Sequence, residues 1–423
     1  RRKFTCRVLS ETEAAVRYDS RSKKLFHLEV PSEVENDGRR YKVVEFIGLS
    51  YDCRGGLESI FLPSTLKKIV TDFSLCGNLV DINIDPENEN FSSVDGALLS
   101  KSGDVLLIVP KGKKSYIIPD TVKIIEEESF LYSSNIKRVV IPDSVEEIKD
   151  RAFLQCYDLK EVMLPESVTY IGELAFGYCD SLKKINIPSR VRKVAADAFY
   201  ECENLLSIDV ASENEFYSSH DGVLLNKSGD TLITCPDGKK EYVIPNGVCT
   251  IGESSFENCE KLSRIDIPET VTAIEKDAFL HCSRLESVKL PNSVRVLKEW
   301  IFSSCERLKT VILGDLLESI EVGAFYGCCK LREINIPDSV KSITYSAFDG
   351  CVGLKNLCFP KSMETLCVDL GCGNGTKKFE IDPENPYFTV VDGVLYDKSL
   401  STLVLFPMSK KRCNILSSVK RIG

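Results

Sequence analysis

The sequence predicts a right-handed α/β solenoid, with short strands stacked as a parallel sheet on a concave face and short helical or 3-10 turns along the convex side. Two observations carry that expectation. Proline keeps a 23-residue beat at Pro119, Pro142, Pro165 and Pro188, then at Pro245, Pro268 and Pro291, then at Pro337 and Pro360, with Gly314 in the intermediate place. Phenylalanine keeps the same beat from Phe130 to Phe199 and from Phe256 to Phe348, and so does cysteine at Cys156, Cys179 and Cys202 and from Cys259 to Cys351. The second observation lies inside the unit, which reads Pro-x-Ser-Val-x-x-Ile-x-x-x-Ala-Phe-x-x-Cys-x-x-Leu-x-x-Ile-x-Ile. Its apolar spacing is two in one part and three or four in the other, the periods of strand and helical turn. One unit cannot bury its own apolar face, so the units must stack and share a core.

Taken in order, segment 1–62 reads as a strand-rich cap with a degenerate first repeat, because Phe4 to Val8, Ala14 to Tyr18 and Leu25 to Val30 are strand-like and a solenoid end needs cover. The repeats occupy 63–423, beginning with Leu66, Ile69, Phe73, Cys76, Leu79, Ile82 and Ile84, a copy shortened by one residue. Longer units stand at 85–119, 211–245 and 382–416, marked by Asp95-Gly96, Asp221-Gly222 and Asp392-Gly393. In the first of them, Leu98-Leu99 and Leu106-Leu107 flank a Ser102-Gly103-Asp104 turn and predict a β-hairpin that either projects from the edge or widens one coil.

In a regular unit, Val162 and Leu164 alternate inward on a strand that Pro165 ends, since proline has no N–H for a ladder. Ser167 is placed to bond turn backbone. Ile171, Ala175, Phe176 and Cys179 predict the helical or 3-10 turn. The unit from Pro291 to Gly314 carries the one tryptophan, Trp300, followed by Ile301 where other copies have Ala or Ser. Filling a widened core is the expected role of Trp300, with a convex contact as the alternative. Ile415 to Gly423 begins another copy and stops inside it, so the expectation is that the protein runs on or that a cap is missing. About fifteen rungs would span roughly 70 Å.

Composition excludes several function classes. Lys plus Arg number 54 against 63 Asp plus Glu, a net charge of -9, whereas nucleic-acid binding needs a concentrated basic surface. The longest apolar runs, Val105 to Pro110 and Leu403 to Met408, are strand-sized and far short of a membrane span. No signal-peptide apolar core follows Arg1 to Thr5, so the protein is either cytosolic or its sequence begins after processing.

Catalysis is not expected. The three histidines, His27, His220 and His281, share no repeat phase, and a nucleophilic site needs a histidine positioned by a partner. His281 adjoins Cys282, but its place is taken elsewhere by Gln155, Tyr178, Glu201 and Asn258, the variety of an exposed position. No phosphate loop or zinc spacing occurs, so neither cofactor nor metal is expected. Nine of the 18 cysteines share one phase and predict a ladder of reduced core thiols. A disulfide or weak metal site at Cys358, Cys367 and Cys372 stays open.

Binding remains. If Val162 and Leu164 point inward, Met163 points outward, and its equivalents on the two preceding coils are Val140 and Ile117. An exposed apolar stripe of Ile117, Val140 and Met163 is thus expected, flanked by a basic ladder of Lys114, Lys137, Lys160 and Lys183. Apolar patches with polar rims often mark interaction sites. The plainer alternative is that β-branched residues suit strands.

The unit displayed in full at Leu164 to Leu182, Leu-Pro-Glu-Ser-Val-Thr-Tyr-Ile-Gly-Glu-Leu-Ala-Phe-Gly-Tyr-Cys-Asp-Ser-Leu, resembles the BspA-like (Treponema pallidum-type) leucine-rich repeats. The opening Val8 to Glu13 and the segment Val391 to Leu395 also look like that family, and the likeness extends over almost the whole chain. It implies a leucine-rich-repeat solenoid of horseshoe or superhelical form in a secreted or surface-attached protein, usually bacterial and host-associated. Members are associated with adhesion to host proteins such as fibronectin and fibrinogen. The resulting expectation is a non-enzymatic adhesion or recognition surface, extracellular or at the cell surface, with a matrix or host protein as partner. An architectural spacer presenting a neighbouring domain is one alternative. A carbohydrate-binding module is another, and it would need aromatics clustered on the concave face, where Phe61 stands alone.

Overall fold

Most regular coils make two short strands rather than one. In the coil that starts at Ile136, Arg138–Val140 alternates outward and inward, and Glu147–Ile148 follows just past the proline turn. The computed structural model describes residues 4–19, 25–49, 55–71, 73, 76–367, 375–407, 409–410, 412 and 414–422. They divide into two compact units, 1–205 with 210–216, and 206–209 with 217–423. Among the described residues, parallel strands stack in about 16 turns.

The first ladder is the expected one. Ser115–Ile117 pairs in parallel with Arg138–Val140, setting Ile117 beside Val140. In the second unit Glu241–Val243 pairs likewise with Arg264–Asp266, and Ser287–Lys289 with Thr310–Ile312. The second ladder comes from the Ser-Val-x-x-Ile stretch. In the first unit it sets Ile125, Ile148, Ile171 and Val194 side by side, each buried. The sequence reading assigned Ile171 to a helical turn, and the structure corrects this: Tyr170–Ile171 is a strand.

The helical or 3-10 turns are also corrected, since no helix occurs among the described residues. The segment from Lys149 to Cys156 is a chain of tight turns, and its hydrogen bonds say why. The N–H groups of Arg151, Phe153 and Gln155 donate to Glu173, Ala175 and Gly177 of the next coil at 2.8 Å. Those of Ala152, Leu154 and Cys156 close on the residue three back, at 3.1 to 3.3 Å. Alternate donors are thus committed to the neighbouring coil and cannot form an i to i−4 helix ladder. Arg151 and Gln155 take left-handed φ of 55° and 60°, as do Leu174 and Tyr178 one coil on. A left-handed L-residue costs on the order of 1 kcal/mol, which the inter-coil bonds offset.

Between the ladders lies the core. Phe153 stacks on Phe130 and Phe176 at ring separations of 4.5 and 5.0 Å, and the second unit repeats this from Phe256 to Phe348. Each such ring contributes about 1.5–3 kcal/mol by burial.

The longer units do contain hairpins, and these belong to the coil rather than projecting from it. Phe91–Val94, Ala97–Ser100 and Val105–Ile108 form an antiparallel meander whose last strand joins the second ladder beside Ile124–Ile125. Asp95 and Gly96 both have positive φ, 46° and 70°, the geometry of a type I′ turn. A Cβ on Gly96 would stand 2.8 Å from the Val80 carbonyl oxygen, so glycine is required there. The other two units repeat the arrangement, with Thr231–Thr234 beside Thr250–Ile251 and Thr402–Leu405 beside Arg421–Ile422.

At the N-terminus, Phe4–Val8 pairs antiparallel with Glu13–Tyr18, which lies parallel to Arg39–Leu49. The latter strand then pairs with Lys68–Ile69, while His27–Glu29, Ser59–Leu62 and Asp81–Ile84 form a parallel set of their own.

Trp300 is corrected as well. Ile301 is the residue that fills the core, fully buried. Trp300 takes a left-handed φ of 55° and lies outside, over Gly323 and edge-on to Tyr326 at 5.7 Å.

Candidate functional site

The first-ladder face of the N-terminal unit is built by strand alternation. Tyr116 and Val139 turn into the core, so Ile117 and Val140 turn out, 70% and 39% exposed. Met163 is 77% exposed while Val162 beside it is buried. A single bridge between Arg138 and Glu161 carries the register on and sets Met163 next to Val140. Beyond Glu161 the first ladder has no strand until Lys184–Ile187, and at that break a groove opens, lined by Arg138, Val140, Asp143, Glu161, Met163 and Pro165. The three predicted apolar residues are therefore exposed and in one column.

Lys114, Lys137, Lys160 and Lys183 are all exposed, three residues before the corresponding coil's outward position or, for Lys183, on the next coil. The N–H of Lys137 donates to the Lys114 carbonyl oxygen at 2.9 Å, and that of Lys160 to Lys137 at 3.2 Å. Lys160 and Lys183 also line a second shallow groove with Asp180, Ser181 and Asn204. None of the four has an ion-pair partner among the described residues, whereas Lys239, Lys276 and Lys309 each meet a carboxylate at 2.8 Å.

The histidines stand apart. His27 bonds the Ser59 hydroxyl at 2.7 Å, His220 lies against Tyr242, and His281 is exposed at a left-handed turn position. The cysteine ladder is buried, and burial pushes the Cys156 thiol up to about 12. Cys358 is exposed, and its thiol donates to the Glu380 carboxylate at 3.1 Å. Cys367 is half-buried against the core, and Cys372 lies outside the described residues. No group of three metal-ligating side chains comes together among the described residues.

Two features escaped the sequence reading. Tyr132, Tyr157, Tyr178 and Tyr200 gather on the turn side, with Tyr178 and Tyr200 edge-to-face at 5.8 Å; only Tyr132 and Tyr178 share a repeat phase, so the group gave little periodic sign. Asn88, Asn214 and Asn385 are fully buried, one in each long unit. Their sign was available in the Glu-Asn pair of Glu87-Asn88, Glu213-Asn214 and Glu384-Asn385.

Stacked coils around an apolar core, with an open groove on the first-ladder face, define a repeat scaffold, a class that is typically non-catalytic. The particular family follows from the repeat itself. The pattern of the BspA type leucine rich repeat region matches residues 112–220 and 237–368 in six copies, and the chain belongs to that family. Among solved structures it is similar to a leucine rich cell surface protein from Faecalibacterium prausnitzii, at 25% identity and a TM-score of 0.53, over 86% of this chain and 92% of that one. It is also similar to a leucine-rich repeat protein from Bacteroides ovatus, at 24% identity and a TM-score of 0.48, over 90% of this chain and 94% of that one. No curated protein sequence matches the chain. No helix among the described residues is long and apolar enough to cross a membrane.

Proposed function

We propose that the chain is a non-enzymatic recognition or adhesion surface of a secreted or cell-surface bacterial protein, and that it takes a host or matrix protein on the face of Ile117, Val140 and Met163. The observation that carries this reading is the exposure of three large apolar side chains in one column, at the place where the strand ladder breaks into a groove. Such a column in water is unfavourable for an isolated protein and becomes favourable when a partner covers it. The flanking lysines supply the polar rim that interaction sites commonly carry. The cell-surface description of the Faecalibacterium relative supports the location.

The test is binding of the protein to a panel of purified extracellular-matrix and serum proteins, with an unrelated repeat protein as control. Saturable binding to one component, lost in Val140→Asp with Met163→Asp while the thermal melt is retained, is the expected result. Binding left intact in a folded double variant would remove this face from the reading. A silent panel would favour a spacer that presents a neighbouring domain.

A further inference from the structure

Lys114, Lys137 and Lys160 stand one above another on successive coils, and Lys183 holds the same place on the next. Parallel pairing puts such positions about 4.8 Å apart. Like charges at that spacing repel one another, and no carboxylate pairs with any of the four among the described residues. Elsewhere the same fold does supply partners, as for Lys113 with Asp95 and Lys309 with Glu286. The apolar column of Ile117, Val140 and Met163 lies three residues further along each coil, about 10 Å at extended spacing, with the lysines just before the strands.

We infer that this face takes an extended, acidic segment of a partner protein, with carboxylates over the lysine column and apolar side chains against Val140 and Met163. The inference rests on the recognition reading above and names the chemistry of its partner. An extended segment lying along the stacking direction sends alternate side chains to opposite sides. One set then reaches the lysines while the other reaches the apolar column. Four coils span about 15 Å, the length of roughly five extended residues. The face is not uniformly basic: Asp143 and Glu161 line the apolar groove, and Asp180 lines the second groove together with Lys160 and Lys183. Lys114 and Lys137 are therefore the least opposed cations and the ones on which an acidic segment depends most. A sulfated polysaccharide shares the negative charge but not the apolar side chains, which is why a protein segment fits the two columns better.

The experiment uses the full chain and three labelled probes followed by fluorescence anisotropy. They are a heptapeptide alternating glutamate with valine, the same peptide with lysine for glutamate, and a heparin-type sulfated oligosaccharide. The expected result is saturable binding of the acidic peptide, about tenfold or more tighter than the basic one and weakening as salt is raised. A Lys114→Gln, Lys137→Gln, Lys160→Gln variant, whose changes are all on exposed side chains, should lose about tenfold or more while melting as the parent does. Equal binding of the two peptides, no saturable binding, or an unaffected triple variant would overturn the inference. Tighter binding of the oligosaccharide than of the acidic peptide, lost in the triple variant, would also overturn it and give the ladder to a polyanionic sugar. The two readings fail separately. A matrix protein that still binds the lysine variant but not Val140→Asp with Met163→Asp would leave recognition standing and remove the acidic segment.

Discussion

The thiol of Cys179 donates to the carbonyl oxygen of Phe153, 3.3 Å away and one coil earlier. The same bond links Cys156 to Phe130, Cys202 to Phe176, Cys282 to Phe256 and Cys328 to Phe302, at 3.0 to 3.4 Å. The Phe153 oxygen already accepts the Cys156 N–H at 3.2 Å, so the thiol fills its second lone pair in a dry environment. Cysteine recurs in this phase because it is a small apolar residue with one weak donor, and both properties are used.

Replacing Cys179 by alanine should therefore remove packing and a donor together. The expected loss is about 1–2 kcal/mol, read as a lower urea midpoint at unchanged slope. Serine restores a donor with a shorter reach and should fall between alanine and the parent. Alanine and parent melting alike would show that the thiol bond has no energetic weight.

Alkali should destabilise the protein through the same ladder. Burial pushes the thiols of Cys156, Cys179, Cys282, Cys305 and Cys328 up, that of Cys156 from 9.0 in an exposed state to about 12. Above about pH 9 the unfolded chain releases these protons while the folded one keeps them, so stability is full below that pH and falls as pH rises towards 12. Each such thiol adds at most about 1.4 kcal/mol of loss per pH unit. Urea midpoints measured from pH 8 upward should drop steeply beyond pH 9, and a flat profile would contradict the buried, protonated ladder.

Cys358 should be a slow thiol although it is exposed. Burial of part of its surface and the Glu380 carboxylate push it up to about 11, so little thiolate exists at neutral pH. Against iodoacetamide it should lag the exposed Cys249 by about tenfold or more. Glu380→Gln removes the negative charge and frees the Lys378 ammonium, both of which favour thiolate, so that variant should react faster. Peptide mapping of the alkylated protein reads both rates, and an unchanged rate in the variant would break the link between Cys358 and Glu380.

Loss of Asn88 should cost heavily for its size. Its side-chain amide donates to the carbonyl oxygens of Pro63, Ser64 and Leu66, and its oxygen accepts the N–H groups of Asn90 and Phe91. It ties the preceding coil's turn to the start of the hairpin. Asn88→Ala should cost on the order of 3 kcal/mol, because buried backbone groups lose their partners. Asn88→Asp keeps the shape and the accepting oxygen but cannot donate, and it should be no better at neutral pH. Hydrogen exchange localised to residues 85–100 would register the damage, and protection equal to the parent would refute the role.

How much of this was legible in the sequence depends on the length of each signal. Phe153 and Cys156 recur in phase, so stacking and the buried ladder could be read directly. The second ladder could not, because Tyr170–Ile171 is two residues long and too short to show alternation. The left-handed positions were hidden because Arg151, Leu174 and Tyr178 are not the glycine or asparagine that usually mark such backbone. Outward placement of Ile117, Val140 and Met163 followed from a period of two. The groove beside them did not, since it arises where pairing stops after Glu161, and no residue type announces that break.

Trp300 offers a last test, because it is the one tryptophan in the sequence and so reports alone. Its ring covers Gly323, where a built Cβ would stand 2.3 Å from the nearest ring carbon, and Gly323 itself has a φ of 61°. Gly323→Ala must therefore push the indole off the turn and also place a side chain in left-handed backbone. The second effect alone costs about 1 kcal/mol. The emission of Trp300 should move to longer wavelength and become easier to quench with acrylamide, while Phe302 and Phe325 beneath keep their stacking and the far-ultraviolet spectrum is unchanged. If the indole instead filled the core as the sequence suggested, quenching would be weak in the parent, and the substitution would leave emission where it was.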